Sequence, residues 1–529
     1  MPATPSSELT VGQYLDSLAP HLRQVRTVLP WPPDVFALAA SVLQRSGAYT
    51  AIVQKRLAAG DWVGEIRATA AKWRESFVTF APPEVADWWA TVRANRRCLL
   101  DVVIDNDALL TALLRLTCVA DEACAGIGMI SDLTSAPEIA RAFESSWLDA
   151  LDASDYRTCC HEISPDRVVV LPKLHTPRNG ITLRSLTHNL ALYHPGEVIP
   201  QWNSFPSFED HDGLSLLLLP WPLTLDSRCI YEASGTKIEM PSTFGFFTCD
   251  TRRNRKPILP DVLQALAAAE KKLPIDAIVF PEGCLLGDEY IEIARATGKF
   301  VIGGVATPAT ADQPGRNEAA FAIPGGKVQL TWKQSKHHRW RIDASQIRQY
   351  SLSLDQRRDW WEDIQIDPRR ICFLSMNDWL ALTVLICEDL ARLDPVSDLV
   401  RAVGPSLVIS LLLDGPQLPT RWPARYATVL AEDPGSSVLT LTSAGMARLS
   451  KPPDGAEKRH VSKTIIGLWK DARSSAVPIE LKRESVGVIL ELERKFFKEW
   501  SADGRDDGGT TAYLLCKEIR QVKIPKGKA

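Results

Sequence analysis

The hydrophobic pattern of the chain changes near residue 165. Before that point apolar residues recur every three or four positions, which predicts helices. In WPPDVFALAASVLQRSGAY, for example, Phe36, Ala39 and Leu43 share one face, and Pro32 stands where a helix can begin. The stretch PPEVADWWATVRANRRCLLDVVIDNDALLTALLRL, which starts at Pro82, has the same period. Residues 1–164 are therefore expected to form an all-α N-terminal region.

After residue 165, short β-rich runs alternate with turns and helices, which is typical of an α/β domain. Some runs are apolar throughout and need cover on both faces, whereas KVQLTWK alternates. Two packed sheets suit both kinds, so residues 165–500 are expected to form a layered α/β domain, with a hairpin at Gly325 and Gly326. Residues 501–529 are assigned to a C-terminal tail. The expected strands are RVVVLP, GITLRSL, LSLLLLP, DAIVFPE, KFVIGGVAT, AAFAIP, KVQLTWK, LALTVLIC, SLVISLLL, SVLTLTSAG, TIIGLWK and SVGVILELE.

Composition narrows the class of protein. The 529 residues are 45% hydrophobic and 24% charged, which is typical of a globular protein. The formal net charge of −3 provides no overall positive field to hold nucleic acid or an anionic membrane. The apolar stretch GLSLLLLPWPL is too short to span a bilayer, and MPATPSSELT lacks the pattern of a signal peptide. A cytoplasmic protein that binds neither membrane nor nucleic acid is predicted.

The 11 cysteines are scattered along the chain, as reduced thiols are. Cys159, Cys160 and His161 are adjacent, but no second pair stands at the spacing of a zinc site. The sequence therefore predicts no metal site.

Three segments place a reactive side chain directly after an apolar run: Glu282 in AIVFPEG, Lys336 in LTWKQSKHH and Cys387 in LTVLICED. Each alone has an ordinary explanation as a turn residue, a solvated lysine or a small core residue. Together they could cleave a carbon–nitrogen bond through a thioester. A thiol attacks as the thiolate, so Glu282 suits the role of base. Lys336 and the backbone N–H of Glu388 are suited to stabilise the negative charge that builds on the substrate.

The same chemistry predicts that the thiol of Cys387 is far more reactive near neutral pH than the other ten. The charge of Lys336 would stabilise its thiolate, whereas burial alone raises the pKa of a thiol.

The order Glu, Lys, Cys, carried by VFPEG, KHH and LICEDL, resembles the nitrilase superfamily of carbon–nitrogen hydrolases. The resemblance covers about residues 210–495. It implies an α-β-β-α sandwich, a Glu-Lys-Cys triad, a covalent acyl or thioimidate enzyme and no cofactor; the expected fold is thus this nitrilase-like sandwich preceded by the all-α N-terminal region that the periodicity predicts. The form CED is seen in members that hydrolyse glutamine amide, which favours an amide over a nitrile substrate.

Two positions leave alternatives open. Lys336 reproduces the K-x-H pattern of the family with His338, but Lys333 could also be its lysine. The family keeps a second glutamate between lysine and cysteine, and Glu362, in DWWEDIQI, is the only Glu in that interval. Its Trp-rich setting is equally typical of a loop packed on a core.

The leading hypothesis is a thiol-dependent amidase that acts on a small-molecule amide or nitrile and forms a homo-oligomer or binds a protein partner. The main alternative is a nitrilase-fold scaffold or partner subunit in which chemistry is incidental. Bacterial antiphage assemblies that join a nitrilase-like domain to a reverse transcriptase resemble this alternative, but the chain has no Tyr-x-Asp-Asp signature. Acyl transfer to an amine would use the same thioester. The substrate is set by loops such as residues 222–256 and 337–378, whose sequence does not identify it.

Overall fold

The N-terminal part of the molecule is helical, as predicted. The computed structural model describes residues 9–524 except 24–26, 56, 59, 77–78, 130–137, 179, 206–211, 234–240, 253–255, 325–329, 393–395 and 452–461. Within these residues the N-terminal helices are α1 (Val11–Leu18), α2 (Pro32–Ser46), α3 (Ala51–Gln54), α4 (Trp62–Glu75), α5 (Pro83–Ala94), α6 (Asp107–Ala123) and α7 (Glu138–Ala153).

The second helical stretch is interrupted. A 3₁₀ turn, Leu100–Asp105, separates α5 from α6, and the Asn106 side chain then caps α6 by accepting from the Leu109 N–H at 3.1 Å. Asparagine favours this position because its side chain satisfies a free N–H of the first turn. The polar cap therefore restarts the helix where the apolar period alone predicted continuity.

The rest of the chain contributes the sheets and their covering helices. The later helices are α8 (Leu259–Glu270), α9 (Glu289–Thr297), α10 (Ala344–Tyr350), α11 (Asp398–Val403), α12 (Trp422–Glu432) and α13 (Ala444–Leu449). The strands are β1 (Val169–Pro172), β2 (Leu190–Tyr193), β3 (Val198–Ser204), β4 (Gly213–Leu218), β5 (Ile230–Glu232), β6 (Phe244–Cys249), β7 (Ala277–Val279), β8 (Phe300–Thr307), β9 (Arg316–Ile323), β10 (Leu330–Ser335), β11 (Arg341–Ile342), β12 (Asp359–Glu362), β13 (Arg369–Ser375), β14 (Ala381–Ile386), β15 (Leu407–Leu412), β16 (Ser437–Thr442), β17 (Ile465–Lys470), β18 (Val477–Glu480), β19 (Gly487–Phe497) and β20 (Thr511–Val522).

Two seven-stranded sheets form the centre of the molecule. Sheet A has the strand order β10-β9-β8-β7-β4-β19-β20, and sheet B has the order β18-β17-β16-β15-β14-β13-β3. Side chains such as Phe321 of sheet A and Leu382 of sheet B fill one apolar layer between the sheets. Helices α8 and α9 cover the outer face of sheet A, and α11 and α12 lie on the outer side of sheet B. The predicted α-β-β-α sandwich is confirmed.

A third, four-stranded sheet of order β11-β12-β6-β5 lies beside the sandwich. Together with α10 it forms its own apolar cluster, which includes Phe247, Trp340, Tyr350 and Trp360, and which reaches the sandwich at Leu413. We call β5, β6, β11, β12 and α10 the cap. The Trp-rich segment around Glu362 is therefore a strand of the cap.

The N-terminal helices share a core with the sandwich. One continuous apolar cluster joins Val42 of α2 and Leu113 of α6 with Phe373 and Leu385 of sheet B. Burial of this common layer couples the two parts energetically. The division at residue 164 stays a prediction.

Two segments differ from their expected structures. GITLRSL is not a strand, because Leu183–Leu186 form a 3₁₀ turn held by the Thr182 side chain. Residues 511–522, assigned to a tail, instead form β20, which pairs along the whole of β19. Strand β20 buries Tyr513 and Leu514 and is the outermost strand of sheet A, beside β19.

The hairpin prediction is tested only at its strands. Strands β9 and β10 are antiparallel, with Ile323 opposite Leu330, but Gly325 and Gly326 lie outside the described residues. Across the described part of the chain, every helix is too short or too polar to cross a bilayer.

Candidate active site

The three residues singled out in the sequence each stand at the end of a strand in the sandwich. Glu282 follows β7 by three residues, Lys336 follows β10 directly, and Cys387 follows β14 directly. The residues are buried, with exposed fractions of 2%, 1% and 4% respectively. Since β7 and β10 belong to sheet A and β14 to sheet B, the site lies between the two sheets.

Lys336 lies between two carboxylates. Its Nζ is 2.8 Å from Oε1 of Glu282 and 2.7 Å from Oε2 of Glu362. Glu362, whose place in the site was uncertain from sequence, therefore contacts the lysine directly. It is 5% exposed and also accepts from the Trp340 N–H at 3.1 Å. An ammonium has three donors, so this arrangement leaves one for another partner.

Asn317 completes this network and was missed in the sequence. Its Nδ2 donates to Oε1 of Glu282 and to Oε1 of Glu362, both at 2.8 Å. Oε2 of Glu282 is buried and has no partner among the described residues. The available signal was the position of Asn317 in RNEAAFAI, which alternation places on the same face as Ala319, Phe321 and Ile323.

Cys387 sits on a strained corner. Its φ is 45°, in the left-handed region, where β14 turns into a 3₁₀ turn, Cys387–Ala391. Such strain in a cysteine at the end of a buried strand is typical of a functional position. Glu388 is the second residue of the turn, where a backbone N–H has no acceptor within the turn.

Asp389 ties the lysine segment to the cysteine turn, and it too was missed. Its buried carboxylate accepts from the His337 N–H at 3.1 Å and lies 2.9 Å from Nδ1 of His338. This contact fixes the position of the chain after Lys336 relative to the turn that carries Cys387. The sequence signal was the position of Asp389, which directly follows Glu388 in CED.

Burial controls the protonation of the site. It raises the pKa of the Cys387 thiol well above its ordinary value; Glu282 adds to the rise, and Lys336 opposes it without cancelling it. Burial likewise raises the pKa of Glu282, against the opposing charge of Lys336. The expectation that the charge of Lys336 would dominate at Cys387 is therefore wrong for the resting protein, because desolvation exceeds the effect of one ammonium.

The ammonium of Lys336 is itself stable. Burial acts to lower its pKa, but the charges of Glu282 and Glu362 outweigh burial and hold the pKa well above its ordinary value. Lys336 is therefore charged at every pH at which the protein would act.

Lys333, the alternative lysine, lies outside this network. Its side chain is 34% exposed, its Nζ is 3.7 Å from Oδ1 of Asp288, and it stacks over the Tyr290 ring at 5.5 Å. Gln334 and Lys336 have the opposite strand parity, and both are buried. The strand therefore turns Lys333 away from Glu282.

The site has little free space. A cavity of about 20 Å³ is lined by Glu282, Asn317, Glu362 and Leu413, among others. Elsewhere, Cys159 and Cys160 are buried and the His161 ring stacks on Trp31 at 4.6 Å. Among the described residues, no group of three or more His, Cys, Asp or Glu side chains is arranged to hold a metal ion.

Comparison with known proteins returned structures only. No protein-family model matches the chain, and no curated protein matches it. The similar solved structures include an amidase from Nesterenkonia sp. (12% identity, TM-score 0.31), which covers 54% of this chain and 92% of its own. Nit3 of Saccharomyces cerevisiae, a member of branch 10 of the nitrilase superfamily, has 13% identity and a TM-score of 0.34 over 53% of this chain and 90% of its own.

A third similar structure is XC1258 from Xanthomonas campestris, a CN-hydrolase superfamily protein, with 14% identity and a TM-score of 0.30 over 53% of this chain and 90% of its own. Nit3 and XC1258 are named as members of the superfamily that the sequence resembles. Likenesses of this size carry no argument about activity.

Proposed function

We propose that this chain is a carbon–nitrogen hydrolase of the nitrilase type that cleaves a small-molecule amide through a thioester on Cys387. The observation that carries the proposal is the buried network at Lys336. It holds one oxygen of Glu282 through two donors and leaves the other, Oε2, without a partner in the described structure. An unpartnered buried carboxylate oxygen near a thiol is suited to take its proton.

The first half of the reaction forms the thioester. Oε2 of Glu282 takes the proton of the Cys387 thiol as Sγ attacks the amide carbon and forms the C–S bond. The carbonyl oxygen gains the negative charge, and the third donor of Lys336 and the Glu388 N–H stabilise it. The C–N bond then breaks, and Glu282 returns the proton to the leaving amine.

The second half hydrolyses the thioester. Glu282 takes a proton from water, whose oxygen attacks the same carbon. The C–S bond breaks, the carboxylic acid leaves, and the sulfur regains its proton. Since the resting thiol has a raised pKa, proton transfer must accompany attack, and a glutamate with a raised pKa is a suitable base for it.

The closed form of the site is compatible with the alternative hypothesis of a scaffold. Cys387 is 4% exposed, and the cavity that Glu282 lines has a volume of only about 20 Å³, so turnover requires the site to open. A scaffold would need no such opening. The cytoplasmic location, the homo-oligomer and a protein partner stay predictions.

The deciding experiment measures ammonia release from short aliphatic amides and nitriles, with acid quenching and intact mass to detect the acyl adduct. We expect ammonia and an adduct on the wild-type chain, and neither on Cys387→Ala. Cys372→Ala is the matched control, because Cys372 is also buried in sheet B and should keep turnover. Equal ammonia release by Cys387→Ala, or no release and no adduct from any substrate, would overturn the proposal and favour the scaffold.

A further inference from the structure

A second buried carboxylate lies at the same end of sheet B as Cys387. Strands β14 and β15 are parallel neighbours, with Ile386 opposite Leu411. Cys387 therefore leaves β14 beside the point where Leu413 and Asp414 leave β15. Asp414 is 8% exposed, and Leu413 lines the cavity that Glu282 also lines.

Only one oxygen of Asp414 is occupied. Its Oδ1 accepts from the Tyr350 hydroxyl at 2.7 Å and from Nη2 of Arg421 at 2.8 Å. Its Oδ2 is buried and has no partner among the described residues. Tyr350 comes from α10 of the cap, and Arg421 precedes α12, so two separate elements hold the carboxylate. A buried carboxylate oxygen without a donor is costly, so a ligand that supplies one gains binding energy.

The charges around the sulfur point to the sign of that ligand. The carboxylates of Glu282, Glu388 and Asp414 all act on Cys387, and Lys336 opposes them. Arg421 pairs with Oδ1 of Asp414 at 2.8 Å, and Oδ2 has no hydrogen-bond partner among the described residues. An anionic substrate group would be repelled here, whereas a cationic one would be attracted.

We propose that Asp414 is a specificity-determining residue, and that its Oδ2 binds a positively charged amine carried by the amide substrate. This inference rests on the proposed function, since it names the substrate class of the same site. Tyr350 and Arg421 act as positioning residues that hold the carboxylate through Oδ1. The substrate would be an amide whose other end carries an ammonium group.

The test compares three amides that have the same chain length and end in an amine, a methyl group or a carboxylate. The comparison is repeated at chain lengths of four, five and six carbons. We expect kcat/KM for the ω-amino amide to exceed that for the ω-methyl amide at least tenfold at one chain length. The ω-carboxylate amide should be the poorest. Asp414→Asn should reduce kcat/KM for the ω-amino amide at least tenfold more than for the ω-methyl amide.

Asp471→Asn is the matched control, because Asp471 is also buried but hydrogen-bonds residues at the end of β17, such as Trp469 and Ser474. It should change kcat/KM for the three amides by one common factor. A wild-type preference for the methyl or carboxylate amide would overturn the inference, as would Asp414→Asn reducing all three equally. Either result would leave the hydrolase standing if the ω-methyl amide still forms an adduct on Cys387. Absence of both ammonia release and an adduct with all three amides would overturn both proposals.

Discussion

Two buried charge clusters in this molecule contain similar residues but differ in whether their buried polar atoms all have hydrogen-bond partners. The first surrounds the proposed active site, is called the active-site cluster, and comprises Glu282, Asn317, Lys336, Glu362 and Cys387. The Arg505 cluster comprises Arg505, Asp121, Glu122 and Asp503, and lies where the N-terminal helices meet the loop between β19 and β20. Each surrounds one fully buried cation with carboxylates.

In the Arg505 cluster the buried polar groups are satisfied. The guanidinium donates to three carboxylates and to the carbonyls of Cys118 and Leu186. Asp121 also accepts from three consecutive backbone N–H groups, 188–190, and Asp503 accepts from the Trp62 indole. Neither Asp121 nor Asp503 has an unpartnered buried oxygen in the described structure.

The active-site cluster is incomplete by contrast. Glu282 Oε2 and Asn317 Oδ1 are buried and lack partners among the described residues, and an uncharged thiol stands beside the ammonium. A satisfied cluster holds two parts of a fold together, whereas unused donors and acceptors are what a substrate can engage. The difference teaches which buried lysine or arginine to test for activity and which for stability.

The largest expected effect is on turnover. Lys336→Met should lower kcat about 10⁴-fold or more, because it removes the ammonium that would stabilise the oxyanion and position Glu282. Lys333→Met is the matched control in the same segment and should keep kcat within about twofold, because the Lys333 side chain contacts neither Glu282 nor Glu362. Steady-state ammonia release measures both. Comparable losses from the two variants would contradict the placement of the active site at Lys336.

Arg505→Met should produce the largest loss of stability. It leaves Asp121 and Asp503 buried without their cation, which costs about 3–5 kcal/mol. Arg67→Met is the control, since the Arg67 side chain is 42% exposed. Its Nε lies 3.7 Å from Oε1 of Glu122, and its Nη2 lies 3.5 Å from Oδ1 of Asp506. Exposed ion pairs of this kind contribute less than about 1 kcal/mol. Urea denaturation measures the free energy of unfolding. If the Arg505→Met variant unfolded at the same urea concentration as the wild type, the cluster would have no measurable role in stability.

Acid should weaken the Arg505 cluster at a definite pH. Burial acts to raise the pKa of Asp503, but Arg505 and three hydrogen bonds outweigh it and lower that pKa from 3.8 to about 2. The folded pKa is below the unfolded one, so this stabilisation is complete above about pH 4 and is lost as pH falls through 2. About 2 kcal/mol is at stake. The gap in unfolding free energy between wild type and Asp503→Asn should therefore narrow between pH 4 and pH 2; a constant gap would contradict it.

The last expected effect is on thiol reactivity without substrate. Since the pKa of Cys387 is raised well above its ordinary value, its thiolate fraction should rise tenfold per pH unit through pH 9. Alkylation by iodoacetamide, followed by peptide mass spectrometry from pH 7 to 9, should accelerate about 100-fold without levelling. Partly exposed Cys98 should react faster at pH 7. A plateau below pH 7 would restore the sequence-based expectation of a thiolate stabilised by Lys336.

Particular residues show how far the sequence could predict this site. Glu282, Lys336 and Cys387 were recognisable because each follows an apolar run, and a strand end is where a buried element can present a side chain. Asn317 was missed because a polar residue in a strand has meaning only once its face is known. Arg505 was missed because its partners Asp121 and Glu122 lie nearly 400 positions earlier in the chain.

The sequence by itself determined the helical and β-rich parts, the layered α/β class and the choice of Glu282, Lys336 and Cys387 as candidate residues, since these follow from local periodicity and from chemistry at strand ends. Only the tertiary structure decided that Lys336 and not Lys333 joins Glu282, that Glu362 belongs to the network, and that residues 511–522 complete sheet A. It also decided the direction in which the pKa of Cys387 shifts, because a pKa depends on burial and on charges brought together from distant segments.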